Sequence, residues 1–260
     1  MVDVVTQDER PILATVGVTK SFGGIRAVDR CSLSIGRGTT TGLIGPNGAG
    51  KTTLFNLIVG LYAPDEGTIA LLGTRIDGLP PNEIVHMGLA KSFQIPREFR
   101  RLTVLENLLV AHPRHPGEHP VAALLGRRRL WDYEETLRTK ALDVLSVVEL
   151  SPLADAFASD LSGGQKKLLE LARALMTDPQ VVLLDEPIAG VNPTLTRKLL
   201  SVIEDLRAGG MTFFMIEHDM DVVMEHCDRV IVMHQGHSIA DGIPEEVRRN
   251  ETVLDAYLGG

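Results

Sequence analysis

The sequence predicts an α/β fold: buried strands and covering helices built around a phosphate-binding loop, with a helical insertion over residues 95–165. Three observations predict it. Gly45-Pro46-Asn47-Gly48-Ala49-Gly50-Lys51-Thr52 has the spacing G-x-x-x-x-G-K-[ST] and lies between an apolar run, Thr40–Ile44, and a helical pattern, Thr53–Gly60. Two more short apolar runs, Val181–Leu184 and Met211–Ile216, stop at acidic residues, as strands do when their ends face a ligand crevice. Between the loop and these runs, Asp132–Leu150 carries Leu137, Ala141, Val144, Leu145 and Val148 at helical spacing.

The loop needs these residue types. Glycines let consecutive backbone N–H groups turn inward as an anion nest, and the helix N-terminus behind them adds its positive end. Lys51 brings a cation to the outer phosphates, and the Thr52 hydroxyl suits Mg²⁺. A strand before the motif and a helix after it are the context that separates it from a chance glycine turn. The chain is therefore expected to bind a nucleoside triphosphate.

Bulk properties limit the partners. With 260 residues and 44% apolar content the chain can bury a large core. A formal charge of -8 gives no electrostatic footprint for nucleic acid, and Arg127-Arg128-Arg129 is a short exception. Cys31 and Cys227 have neither metal nor redox spacing, which fits a reducing compartment. Met1–Pro11 is acidic and lacks an apolar core, and no run approaches the ~18 residues of a membrane span. The expectation is a soluble, cytoplasmic chain.

Taken in order, 12–20 and 31–35 read as strands around a Phe22-Gly23-Gly24 turn. Position alone leaves Phe22 either a base-stacking aromatic or a core residue. Gly67–Gly73 reads as a hairpin strand, Pro80-Pro81 opens a short helix, and Leu89–Phe93 reads as a strand ending at Gln94. An amide at that sheet edge can orient water or complete Mg²⁺ coordination. Thr103–Glu106 is a capping box opening a helix to Ala111. His112, His115 and His119 alternate with prolines, which hinders convergence on a metal and favours a loop. Ser162 can cap the helix after Gly163-Gly164-Gln165; two glycines in a first turn cost about 1 kcal/mol each against alanine, so close approach to a phosphate is one expected compensation. Asp185 closes a buried strand where such loops hold Mg²⁺, and Glu186 is placed to act as general base. Asn192-Pro193 opens a helix to Gly209-Gly210, and His218 reaches the same sheet edge as the acids. Two strands flank Gln235-Gly236, with helices after Pro244.

The phosphate loop, Gln94, Leu161–Gln165, Leu183–Pro187 and His218, in that order, resemble the nucleotide-binding subunit of an ABC transporter. Gly88–Gln94, Leu102–Leu109, the insertion at 112–131, Ala189–Pro193, Ile216–Met220 and Ala256–Gly259 look like the branched-chain amino-acid importer ATPases within it. The resemblance covers nearly the whole chain and implies an ABC ATPase domain over 10–260, with an antiparallel β subdomain beside the phosphate-loop core and the helical subdomain at 95–165. It implies adenine stacking by Phe22, phosphate and Mg²⁺ binding by Gly45–Thr53, and γ-phosphate sensing by Gln94. Ser162, Gly163, Gly164 and Gln165 would bind the ATP of an opposing subunit, head to tail. Asp185 would hold Mg²⁺ through water, Glu186 would be the catalytic base and His218 the switch histidine. Asn192 departs from the general pattern, which has Asp there, but matches the branched-chain subgroup.

The resemblance also implies ATP and Mg²⁺ as cofactors, membrane permease subunits, a second ATPase subunit (identical or a paralogue) and a solute-binding protein as partners, no nucleic acid, and a peripheral place on the cytoplasmic face of the membrane. Alternatives are a urea or amide importer, a lipopolysaccharide exporter, or a soluble ABC ATPase acting on ribosomes or DNA. A last expectation concerns coupling: Phe99, Leu102, Val104 and Leu108 would form the surface that receives a cytoplasmic helix of the membrane subunit, tilted by phosphate at Gln94.

Overall fold

The computed structural model describes residues 11–92, 98–113 and 127–258. In chain order its elements are β1 (Leu13–Phe22), β2 (Ile25–Ile35), β3 (Thr40–Ile44), α1 (Lys51–Ile58), β4 (Glu66–Leu71), β5 (Thr74–Arg75), α2 (Pro81–His86), β6 (Leu89–Lys91), α3 (Val104–Leu109), α4 (Arg127–Val147), α5 (Gly163–Leu175), β7 (Val181–Asp185), α6 (Pro193–Ala208), β8 (Thr212–Ile216), α7 (Met220–His226), β9 (Arg229–His234), β10 (His237–Gly242), α8 (Pro244–Arg248) and α9 (Glu251–Leu258). They form two compact units, one of Met1–Gln94, Gln180–Pro187 and Ile203–Gly260, the other of Ile95–Pro179 and Ile188–Val202.

The first unit holds two sheets. One runs β10-β9-β3-β8-β7-β6; all its pairs are parallel except the β9–β10 edge. β3, β7 and β8 are buried along their whole length, which is why they read as unbroken apolar runs. Behind β3, Phe55 of α1 meets Phe214 of β8 with ring centroids 4.9 Å apart, both fully buried. Each such side chain contributes about 1.5–3 kcal/mol by leaving water. The register sets Leu43 beside Ile216 and Ile44 beside Val232, so the chain leaving β3 emerges between β8 and β9.

The second sheet, β2-β1-β4-β5, is antiparallel throughout. Its first hairpin turns on Gly23 and Gly24 at φ 52° and 89°, the left-handed pair that a tight two-residue turn requires. β2 starts at Ile25, six residues before the expected strand. Charged Arg26, Asp29 and Arg30 break its alternation, and Arg30 sits at φ 45° where β1 and β2 lose register. β6 stops at Lys91; Phe93 and Gln94 lie outside the described residues.

In the second unit, Thr103 caps α3 with the expected box: Glu106 N–H donates to Thr103 Oγ1 (3.1 Å) and Thr103 N–H to Glu106 Oε2 (2.7 Å). α3 ends at Leu109, two residues short of the expected helix, and packs on α4 and α5. That packing corrects the expected docking surface. Val104 and Leu108 are fully buried, because a helix of six residues has one apolar face and turns it inward; Phe99 remains 50% exposed. Buried Asn107 fastens the chain before α3: its Oδ1 accepts from Phe99 N–H (2.8 Å), and its amide donates to the Phe99 and Thr103 carbonyls (3.1 and 2.9 Å). α4 begins earlier than expected, at Arg127, and buries Leu137, Ala141, Leu145 and the following Val148. His112 bonds the Tyr133 hydroxyl (2.9 Å), while His115 and His119 lie outside the described residues.

Candidate functional site: a phosphate-loop cleft

The ends of β3, β7 and β8 build one cleft in the first unit. Gly45 to Lys51 leave β3 and run into α1, whose N-cap Gly50 is left-handed at φ 100°. Two of the glycines are obligatory. A Cβ on Gly45 (φ 146°) would lie 2.0 Å from the Met233 carbonyl oxygen, and one on Gly50 would lie 2.2 Å from that of Ala27. The loop is thus wedged between β9 and β2, where only bare backbone fits.

The cleft, about 320 Å³, is lined by Ala27, Asn47 to Thr53, Glu186 and His218. Lys51 is 6% exposed, and its Nζ donates to the carbonyls of Gly45 (2.6 Å) and Pro46 (3.1 Å). Burial pushes its pKa below the usual lysine value, and the Glu186 and Asp185 carboxylates pull it partly back. A buried ammonium at the mouth of a nest is an anion receptor.

Opposite the loop, β7 ends on Asp185 and the chain turns sharply at Glu186, which adopts φ 50° and donates its N–H to the Ile216 carbonyl (3.0 Å). A non-glycine residue in that region costs about 1–3 kcal/mol, and here the fixed β7–β8 register imposes it. The turn aims the Glu186 carboxylate at His218, which follows β8: Glu186 Oε1 and His218 Nε2 are 2.7 Å apart. Glu217 is buried, and its Oε2 accepts from the His218 N–H (3.2 Å). Asp219 then caps α7 through the Asp221 and Val222 N–H groups.

Asp185 is 3% exposed and holds an ion pair absent from the sequence reading. Its Oδ2 lies 3.3 Å from Lys91 Nζ, at the end of β6, and Lys91 also donates to Asn56 Oδ1 of α1 (2.9 Å). The other oxygen, Asp185 Oδ1, is buried with no hydrogen-bond partner. A buried carboxylate oxygen left bare, beside a cleft that contains the Thr52 hydroxyl, is the hard-oxygen donor set that Mg²⁺ takes. The signal for Lys91 was a cation inside an otherwise apolar strand pattern.

Of the remaining expected residues, Gln94 lies outside the described residues. Phe22 is 42% exposed and is not among those lining the cleft; its ring meets Tyr62 edge-on at 5.2 Å, with Lys20 Nζ at 5.7 Å. In the second unit, Ser162 caps α5 through a full box: its N–H donates to Gln165 Oε1 (2.9 Å) and its Oγ accepts from Gln165 N–H (3.4 Å). The two glycines differ. A Cβ on Gly164 would strike Leu195 Cδ1 at 2.4 Å, whereas Gly163 faces open space.

The chain is similar to known proteins over nearly its whole length. A family model for the ABC transporter matches residues 28–189, and one for a branched-chain amino acid ATP-binding cassette transporter matches 238–260. A probable branched-chain amino acid transport ATP-binding protein of Archaeoglobus fulgidus is 42% identical over 95% of this chain and 95% of its own length. A high-affinity branched-chain amino acid transport ATP-binding protein of Pseudomonas aeruginosa is 42% identical over 96% of this chain and 98% of its own. The crystal structure of an ABC-transporter ATP-binding cassette in its ADP conformation superposes with a TM-score of 0.84 at 40% identity, covering 96% of this chain and 99% of that one. With its loop, its strand-end carboxylates and these full-length likenesses, the chain belongs to the ABC transporter family, as one of its ATP-hydrolysing cassettes.

Proposed function

We propose that the chain is the ATPase subunit of an importer of branched-chain amino acids. It works on the cytoplasmic face with membrane permease subunits, a second ATPase subunit set head to tail, and a solute-binding protein. The names of the relatives and the C-terminal family match support the solute class. Among the described residues, no helix is long and apolar enough to cross a membrane, in keeping with permeases on separate chains.

In this reading Gly45 to Thr53 cradle the phosphates, with Lys51 released from its loop carbonyls to the outer ones, and Phe22 stacks on adenine. Thr52 and Asp185 hold Mg²⁺, assisted by Gln94; the ion supplies charge neutralisation on the phosphates. Glu186 takes the proton of the attacking water, and His218 orients the carboxylate. Ser162, Gly163, Gly164 and Gln165 contact the nucleotide of the opposing subunit.

The observation that carries the chemistry is the 2.7 Å Glu186–His218 contact at the rim of the phosphate-loop cleft. Glu186→Gln tests it: ATP binding is kept, turnover falls roughly 10²–10⁴-fold, and ATP traps a dimer. Near-normal steady-state hydrolysis removes Glu186 from the mechanism. For the solute, proteoliposomes of the assembled transporter should take up leucine with ATP; hydrolysis without uptake of leucine, isoleucine or valine overturns the substrate assignment.

A further inference from the structure

The residues after His218 carry no part of the chemistry above, yet they enclose the phosphate loop from behind. The β9–β10 turn places Gly236, at φ 84°, between the loop and the antiparallel sheet. Its N–H donates to the Ala49 carbonyl (3.0 Å), and its own carbonyl accepts from Asp29 N–H (2.9 Å). One residue before the end of β9, the Met233 carbonyl occupies the space a side chain on Gly45 would need. From the far end of the chain, α9 packs on β10 and α8 and brings the partly exposed Tyr257 hydroxyl next to the Gly45 backbone. The C-terminal segment is therefore bonded to the nest at Ala49 and flanks it closely at Gly45.

The physical need is clear. A loop with glycine at 45, 48 and 50 has more backbone freedom to lose than one with side chains at those positions. Its N–H groups bind an anion well only when already aimed, since ordering at the moment of binding subtracts from affinity. A clamp at each end removes that freedom in advance. Gly236 sits where a Cβ would come within 3.2 Å of Ala27 O and Asp29 N, so the turn cannot carry a side chain without shifting both neighbours by a few tenths of an ångström.

We propose that the β9–β10 turn and the C-terminal helix α9 brace the phosphate loop in its anion-binding shape, making Gly236 and Tyr257 positioning residues for nucleotide bound to the same subunit. The proposal rests on the reading that this loop binds ATP. It gives the C-terminal segment a role in cis, independent of dimerisation or permease contact.

The test uses the full-length monomeric cassette, titrated with ATP and ADP by calorimetry, with hydrogen exchange followed over residues 45–50. Tyr257→Phe keeps the ring and removes only the hydroxyl; a chain ending at Asn250 removes α9; Gly236→Ala strains the turn. Each should weaken both nucleotides, by roughly fivefold for Tyr257→Phe and more for the other two, and each should speed exchange in the loop. Unchanged affinity with unchanged exchange in Tyr257→Phe and the shortened chain overturns the proposal. So does faster exchange without an affinity loss, or an affinity loss without faster exchange. Lys51→Ala is the control: if it leaves nucleotide binding intact, the loop reading itself fails, whereas binding lost there but intact in the three variants refutes the brace alone.

Discussion

Lys91→Met tests the buried Lys91–Asp185 pair at the edge of the phosphate-loop cleft. The Lys91 side chain is 9% exposed and that of Asp185 4%, with 3.3 Å between Nζ and Oδ2. At an effective dielectric of about 20 two unit charges at that separation attract by ~5 kcal/mol, most of which offsets the desolvation of both groups. The net value of the pair is therefore small, but breaking it is costly, because buried Asp185 would keep only the more distant Lys51 ammonium as counter-charge. Methionine keeps the unbranched shape that passes over the Phe55 ring, so little packing is lost. Lys91→Met should then cost about 3–5 kcal/mol in urea unfolding of the nucleotide-free protein, and Lys91→Met with Asp185→Asn should recover most of it. A single-variant loss below about 1 kcal/mol, or a double variant that loses the sum of the two singles, would refute the pairing as the reason Lys91 is buried there.

Three further outcomes are expected. Gly163→Arg points into open space, so folding and monomer ATP affinity should hold while hydrolysis and ATP-driven dimerisation are lost; weaker binding in the monomer would show that the motif acts in cis. Burial pushes the Cys31 and Cys227 thiols up to about 11 and about 12, so native protein at pH 8 should resist alkylation and react only when unfolded; the thiols' contribution to stability should be constant below about pH 8 and fall above it as unfolded thiols ionise, until pH reaches the folded values, and flat stability to pH 11 would contradict it. Phe99→Glu removes an exposed ring that Arg173 covers at 5.2 Å and should leave basal ATPase within about twofold while abolishing permease co-purification; an intact complex would put docking elsewhere.

What the sequence disclosed follows from which constraints are local. β3, β7 and β8 are legible because five buried residues in a row, with a glycine or an acid at the end, have few other readings. The phosphate loop is legible because its function requires contiguous backbone. The Lys91–Asp185 pair is not, since it exists only because β6 lies beside β7, and strand order leaves no local trace in either segment. Val104 and Leu108 misled for a related reason: an apolar face looks the same whether it meets a partner subunit or its own domain.

The glycines after Ser162 show how a functional motif can hold two kinds of constraint at once. The sequence reading treats both as approach points for phosphate, since glycine in a first helical turn is unfavourable. The capping box supplied by Ser162 and Gln165 already offsets part of that cost, in the same residues expected to touch nucleotide. Gly164 is then explained by Leu195 of α6, which leaves no space for a methyl group, and needs no ligand. Gly163 has neither a left-handed backbone nor a crowded neighbour, so folding alone does not ask for glycine there. If the motif recognises a nucleotide, the selective pressure for bare backbone falls on Gly163, and alanine scanning across the motif should separate the two: Gly164→Ala lowering stability, Gly163→Ala lowering hydrolysis with stability intact.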